Sequence, residues 1–119
     1  MKTLLAAVLA LVLTATGAAA LPRFACQQAG EIAQTAMTYR QAGYSPEQVL
    51  EALEPEIASA RLQAAFFGMP KAQLDRYESL ARTHLLPILF NIKVQKTERA
   101  RERVNLRAGE TAYARCMAL

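Results

Sequence analysis

The chain has 119 residues, 53% of them hydrophobic, with one His and no Trp, a size that suits one small domain and excludes a multidomain enzyme. So much apolar residue excludes a disordered chain. Fourteen Lys and Arg stand against ten Asp and Glu, net +4, and the excess is uneven. Residues 21–90 carry six cations and seven acids, whereas residues 91–119 carry seven and three, so the basic balance belongs to the C-terminal quarter.

Met1-Lys2-Thr3 forms a short positive start, residues 4–16 an apolar run, and Ala18 and Ala20 a small-x-small pair. This is the pattern of a secretory signal peptide, with cleavage expected after Ala20 and residues 21–119 left as a single helical domain. An uncleaved anchor fits less well, because residues 4–21 are at the short end of a spanning helix and include two Thr and a Gly. No later stretch is apolar enough to span a bilayer. The expected location is therefore the periplasm or the medium.

Residues 24–42 read as an amphipathic helix. Cys26, Gly30, Ala33 and Met37 share a stripe, with Ala25, Ala29, Ile32, Ala36 and Tyr39 beside it. Gln27, Glu31, Gln34, Thr35, Thr38 and Gln41 take the opposite side. Gly43 suits the position just past a helix end. Ser45, Pro46 and Gln48 then make a capping box with Pro at the first helical position, and Tyr44 and Val49 are spaced for a hydrophobic staple. The stripe of this second helix is Leu50, Leu53, Ile57, Ala60, Ala64 and Phe67. Pro55 predicts a kink, or a break and restart, and Gly68-Met69-Pro70 ends the segment.

A third helix is expected from about Pro70, with Leu74, Tyr77, Ala81, Leu85 and Ile88 buried and Pro87 bending or ending it. From Ile88 the pattern turns polar, and Gly109 is expected to break it again. Gly109, Ala112, Tyr113 and Cys116 form an apolar face near the C-terminus. No run alternates as a strand does. The fold expected is all-α, a small bundle of four or five helices, with first and last helices packed together.

Two cysteines in an exported chain read as a disulfide, so Cys26 and Cys116 are expected to join those two helices. A redox or metal pair is the rival. There is no C-x-x-C spacing, and the single His84 cannot complete a zinc site. No cofactor is expected.

Two surfaces carry the functional expectations. On a helix, Lys96, Arg99, Arg103 and Arg107 share one side and would suit an anionic surface, although mixed-charge solvated helices look much the same. Arg99–Arg103 and Arg103–Arg107 are like-charge neighbours, which mildly favours a partner. Leu62 and Phe66 lie opposite the second helix's stripe. With Phe67 and Met69 nearby, they form either a partner patch or the second buried face of a central helix. His84 has no nucleophile to serve once the cysteines are paired. Glu47, Glu51, Glu54 and Glu56 read as a solvated acidic face rather than an acid–base pair.

Three segments, residues 26–33, residues 39–47 and residues 112–116, resemble small exported two-cysteine helical proteins of Gram-negative bacteria. The resemblance covers the first third of residues 21–119 and the last few. It implies an exported all-α protein and carries no activity with it. The expected function is non-enzymatic: protein–protein binding as an envelope adaptor, an inhibitor or immunity-type protein, or an assembly subunit. Its rivals are binding of anionic envelope lipid through the basic helix and a periplasmic chaperone role. Nucleic acid fits worst, because export removes the chain from it and no aromatic residue interleaves with the arginines.

Overall fold

A computed structural model describes residues 21–119, apart from the side chains of His84, Leu85, Leu86 and Ile88. The signal-peptide expectation for residues 1–20, and the buried positions expected of Leu85 and Ile88, lie outside the described residues. Among the described residues the regular structure is all helical: α1 Arg23–Gln41, α2 Pro46–Phe66, α3 Lys71–Ser79, α4 Leu86–Phe90 and α5 Glu98–Met117. A π-helical turn, Leu80–Leu85, joins α3 to α4.

The local chemistry accounts for the first two elements closely. α1 ends in a Schellman motif: the Tyr44 N–H bonds to Tyr39 O at 3.1 Å and the Gly43 N–H to Arg40 O at 3.0 Å. Gly43 holds φ +96°, which costs a residue without a Cβ little. The rings of Tyr39 and Tyr44 stack at 5.0 Å and supply the apolar contact that accompanies this motif. α2 starts with the expected capping box. Ser45 Oγ accepts from the Gln48 N–H at 3.2 Å, and the Ser45 N–H donates to Gln48 Oε1 at 2.9 Å. The same C-terminal motif ends α2, with Gly68 at φ +92° and the Met69 N–H bonded to Ala64 O at 3.0 Å.

Pro55 does not break α2, which runs as one helix from Pro46 to Phe66. Pro55 sits on its exposed side, where solvent can satisfy the carbonyl that loses its partner. Pro87 acts as a local perturbation, not a stop. Its missing N–H and its ring disfavour a regular α-turn over the preceding residues, and the chain there adopts the wider π-helical turn before resuming α-geometry to Phe90.

α1 is the hub. It packs on α5 most extensively, then on α2 and α4. Its buried residues, among them Ala25, Ala29, Ala33 and Ala36, spread over about half the helix circumference at 100° per residue. Small side chains let three neighbours approach at once. The antiparallel α1–α5 seam is closed at one end by the Cys26–Cys116 disulfide, with Cα atoms 5.3 Å apart. Further along, Gly30 and Gly109 face each other. A Cβ on either would lie 3.0 Å from the other's carbonyl oxygen. Gly109 therefore does not break the last helix as its sequence context suggests. It is interior to α5, and the intimate contact with α1 offsets its poor helix propensity.

Gln41 also departs from its expected solvent side, being only 4% exposed. Its Nε2 donates to Lys93 O at 3.0 Å, and its Oε1 accepts from the Gln95 N–H at 2.6 Å. One amide thus pins the loop between α4 and α5 and satisfies its own buried polar atoms.

Candidate functional site

The first candidate surface is the C-terminal end of α2. Its inner side is formed by Leu53, Ile57, Ala60 and Ala64, all buried, with Val49 also buried at the start of the helix. Leu50 and Phe67, expected in that stripe, are exposed instead. α2 packs chiefly on α1 and the α3–α4 segment, which leaves part of its apolar surface uncovered. Leu62 is 72% exposed, Phe66 86% and Phe67 68%. The reading of α2 as a central helix buried on two sides is thereby corrected: α1 takes that place.

The exposed aromatics are organised. The Phe66 and Phe67 rings meet edge to face with centroids 5.7 Å apart, and Phe67 meets Phe24 of α1 edge to face at 5.4 Å. Phe24 precedes disulfide-bonded Cys26 by two residues, so the cluster is seated on the stapled end of the bundle. Sequence periodicity found Leu62 and Phe66. It set Phe67 beside them while also counting it in the core-facing stripe; Met69, expected near the patch too, is buried.

Ion pairs beside this surface hold α2 to the α3–α4 segment. Arg61 donates to Asp75 Oδ1 at 3.0 Å and to Glu78 Oε2 at 2.6 Å. Arg82 donates to Glu54 Oε2 at 2.9 Å and to Glu78 Oε1 at 3.3 Å. Hydrogen bonding to Arg82 holds the Glu54 carboxyl below its ordinary range, and the bond to Asp75 raises Arg61 further. Glu54, whose side chain stays 44% exposed, is thus an ion-pair partner on the solvated acidic face expected for it. Glu47, Glu51 and Glu56 are exposed.

The second candidate surface is basic. Arg99, Arg103 and Arg107 are exposed and follow one another at four-residue steps along α5. Lys96 is not on that helix. Thr97 is the N-cap, its Oγ1 accepting from the Ala100 N–H at 3.2 Å, and α5 starts at Glu98. The stripe thus has three arginines, with Lys96 in the preceding loop. None of the three forms an ion pair among the described residues. Arg99 also stands in the first turn, where the helix dipole disfavours a cation.

The backbone places His84 in the π-helical turn, and its side chain lies outside the described residues. Among the described residues no group of three metal-ligating side chains comes together, and no helix is long and apolar enough to cross a membrane. Comparisons with protein-family models, with curated proteins and with solved structures each return no match.

Proposed function

We propose that this is an exported, non-enzymatic helical protein that binds another protein through the C-terminal end of α2. The observation that carries the reading is the exposure of Leu62, Phe66 and Phe67 as one cluster. Large apolar side chains gathered on a small helical domain are a costly surface unless something covers them. Burying one such side chain is worth about 1.5–3 kcal/mol. Three of them form an anchor that only a cognate face with well-made rim contacts could turn into stable association, given the entropic cost of docking. The disulfide suits the oxidising compartment that the pattern of residues 1–20 implies. An envelope adaptor, an inhibitor or immunity-type protein, and an assembly subunit all remain within this reading.

The test places a photoreactive benzoylphenylalanine at position 66 in the host cell. The expected result is one discrete protein adduct, abolished by Leu62→Asp. Absence of an adduct at position 66, with efficient crosslinking from a control at position 103, would overturn the reading and point to the basic side. That second reading, anionic lipid binding, is favoured by Arg99, Arg103 and Arg107, which form no ion pair among the described residues. It predicts co-sedimentation with anionic vesicles that collapses at high salt and on Arg103→Glu with Arg107→Glu.

A further inference from the structure

A cavity of about 270 Å³ lies between α1, the end of α4 with the loop after it, and α5. Its floor is apolar, formed by Ala33, Leu89, Ala108 and Ala112, all buried. The exposed part of its lining is Arg107, Thr111 and Arg115, at successive four-residue steps along α5. Axial rise separates the two arginines by about 12 Å, a span that brackets the opening. No acidic side chain lines the cavity, and neither arginine is ion-paired among the described residues. An apolar floor beneath two guanidinium groups without ion-pair partners among the described residues, and a hydroxyl, matches one kind of ligand, an apolar chain with an anionic head.

We propose that this cavity binds a single-chain alkyl carboxylate, with its chain on the Ala33–Leu89–Ala112 floor and its head between Arg107 and Arg115. An apolar floor of this kind, open on one side, hydrates poorly and favours apolar guests. At about 30 Å³ per heavy atom, the share of a water in the liquid, it holds roughly nine atoms. That is a chain of medium length, not a diacyl lipid. Guanidinium donors suit the carboxylate oxygens, and Thr111 adds one further donor at the rim. The site shares no residue with the α2 surface, so the failure of either leaves the other standing.

The experiment is titration calorimetry on the oxidised chain of residues 21–119 with hexanoate, octanoate, decanoate and dodecanoate below their micellar concentrations, and with decanol. Each buried methylene strengthens binding about fourfold. Affinity is expected to climb from hexanoate to octanoate and level off by decanoate, as the cavity fills. Decanol should bind about three- to tenfold more weakly than decanoate, as should decanoate to Arg107→Glu with Arg115→Glu, since exposed charge contacts are modest. Thr111→Phe, which fills the mouth from an exposed position, should abolish binding. Leu62→Asp with Phe66→Asp should leave it unchanged. Lack of saturable decanoate binding overturns the proposal. So does affinity that rises undiminished to dodecanoate and ignores Thr111→Phe, which signals surface association. Equal binding of decanol and decanoate removes the assigned role of the arginines and refutes the carboxylate assignment.

Discussion

The Cys26–Cys116 bond closes a loop across 90 positions of sequence, nearly all of residues 21–119. In the chain-entropy treatment, a crosslink of that span removes about 4–5 kcal/mol of freedom from the unfolded chain. A domain of this size has a total stability of about 5–15 kcal/mol, so the bond is a major share of it. The perturbation is the pair Cys26→Ala with Cys116→Ala. Both cysteines are fully buried, and small side chains avoid stranding a polar group in the seam. The assay is urea unfolding followed by circular dichroism, against the oxidised parent. With a slope of about 1–3 kcal/mol per molar, the midpoint should fall by about 1.5–5 M. The slope itself should rise, because the unlinked chain exposes more surface on unfolding. A loss below about 1 kcal/mol would refute the reasoning. It would mean that the apolar α1–α5 face, with its Gly30–Gly109 contact, already holds the seam without help from the crosslink.

Three further outcomes follow from particular contacts. Tyr77 is buried, its hydroxyl lacks a hydrogen-bond partner among the described residues, and burial, with a contribution from Glu31, pushes its pKa up to about 12. Because the unfolded chain gives up this proton near pH 10 and the folded chain does not, stability should fall as pH rises above 10, by about 1.4 kcal/mol at pH 11. Tyr77→Phe should remove that alkaline loss and stabilise the protein by about 1 kcal/mol at pH 7; a destabilisation in thermal melts would contradict it. Glu54, whose folded pKa lies below its ordinary 4.5, contributes stability above that value that is lost as pH falls through the lowered one, so Glu54→Gln should flatten the acid limb of a pH–stability curve. Gly30→Ala with Gly109→Ala would gain about 1 kcal/mol of helix propensity at each site, yet backbone oxygens 3.0 Å from each new Cβ should turn the pair into a net loss of about 2 kcal/mol. A net gain would show that α1 and α5 can separate at little cost.

What the sequence makes legible here is local chemistry and helix periodicity. Ser45 and Gln48 announce the start of α2 because the capping box needs only residues three apart. The buried arc of α1 follows from spacing alone, and the disulfide follows from compartment and count. Spacing fails where a residue's fate depends on which helix occupies the centre. Leu50 and Phe67 have the same periodic credentials as Leu53 and Ile57, Leu62 and Phe66 make an apolar face opposite them, and only the identity of the hub separates exposed from buried. The hub could have been argued from side-chain size and arc width together, since α1 and α5 both bury mostly Ala and Gly but only α1 does so over half its circumference. Gln41 was illegible because its partners are backbone groups about 50 residues away. Gly109 is ambiguous for a similar reason: a glycine reads as a breaker until the helix it packs against is known. The basic stripe is legible in its exposure but not in its length, because Thr97 and the pinned loop decide where α5 begins.

The α2 surface and the cavity beside α5 involve different helices, yet both rest on α1. The aromatic cluster reaches the staple through Phe24, two residues before Cys26. The cavity reaches it through Arg115, next to Cys116, and through Ala112 one turn earlier. Opening the disulfide should therefore loosen both surfaces together. A charge introduced at Leu62 should impair only the first, and bulk introduced at Thr111 only the second, because well-separated sites without shared partners behave additively. This pattern separates two independent binding functions from one shared surface: in a double variant, Leu62→Asp and Thr111→Phe should each act as they do alone. Coupling between them would have to travel through α1, and the close Gly30–Gly109 packing leaves that helix little room to shift. Independence is therefore the outcome the architecture favours, with an oxidised Cys26–Cys116 bond as the condition both surfaces share.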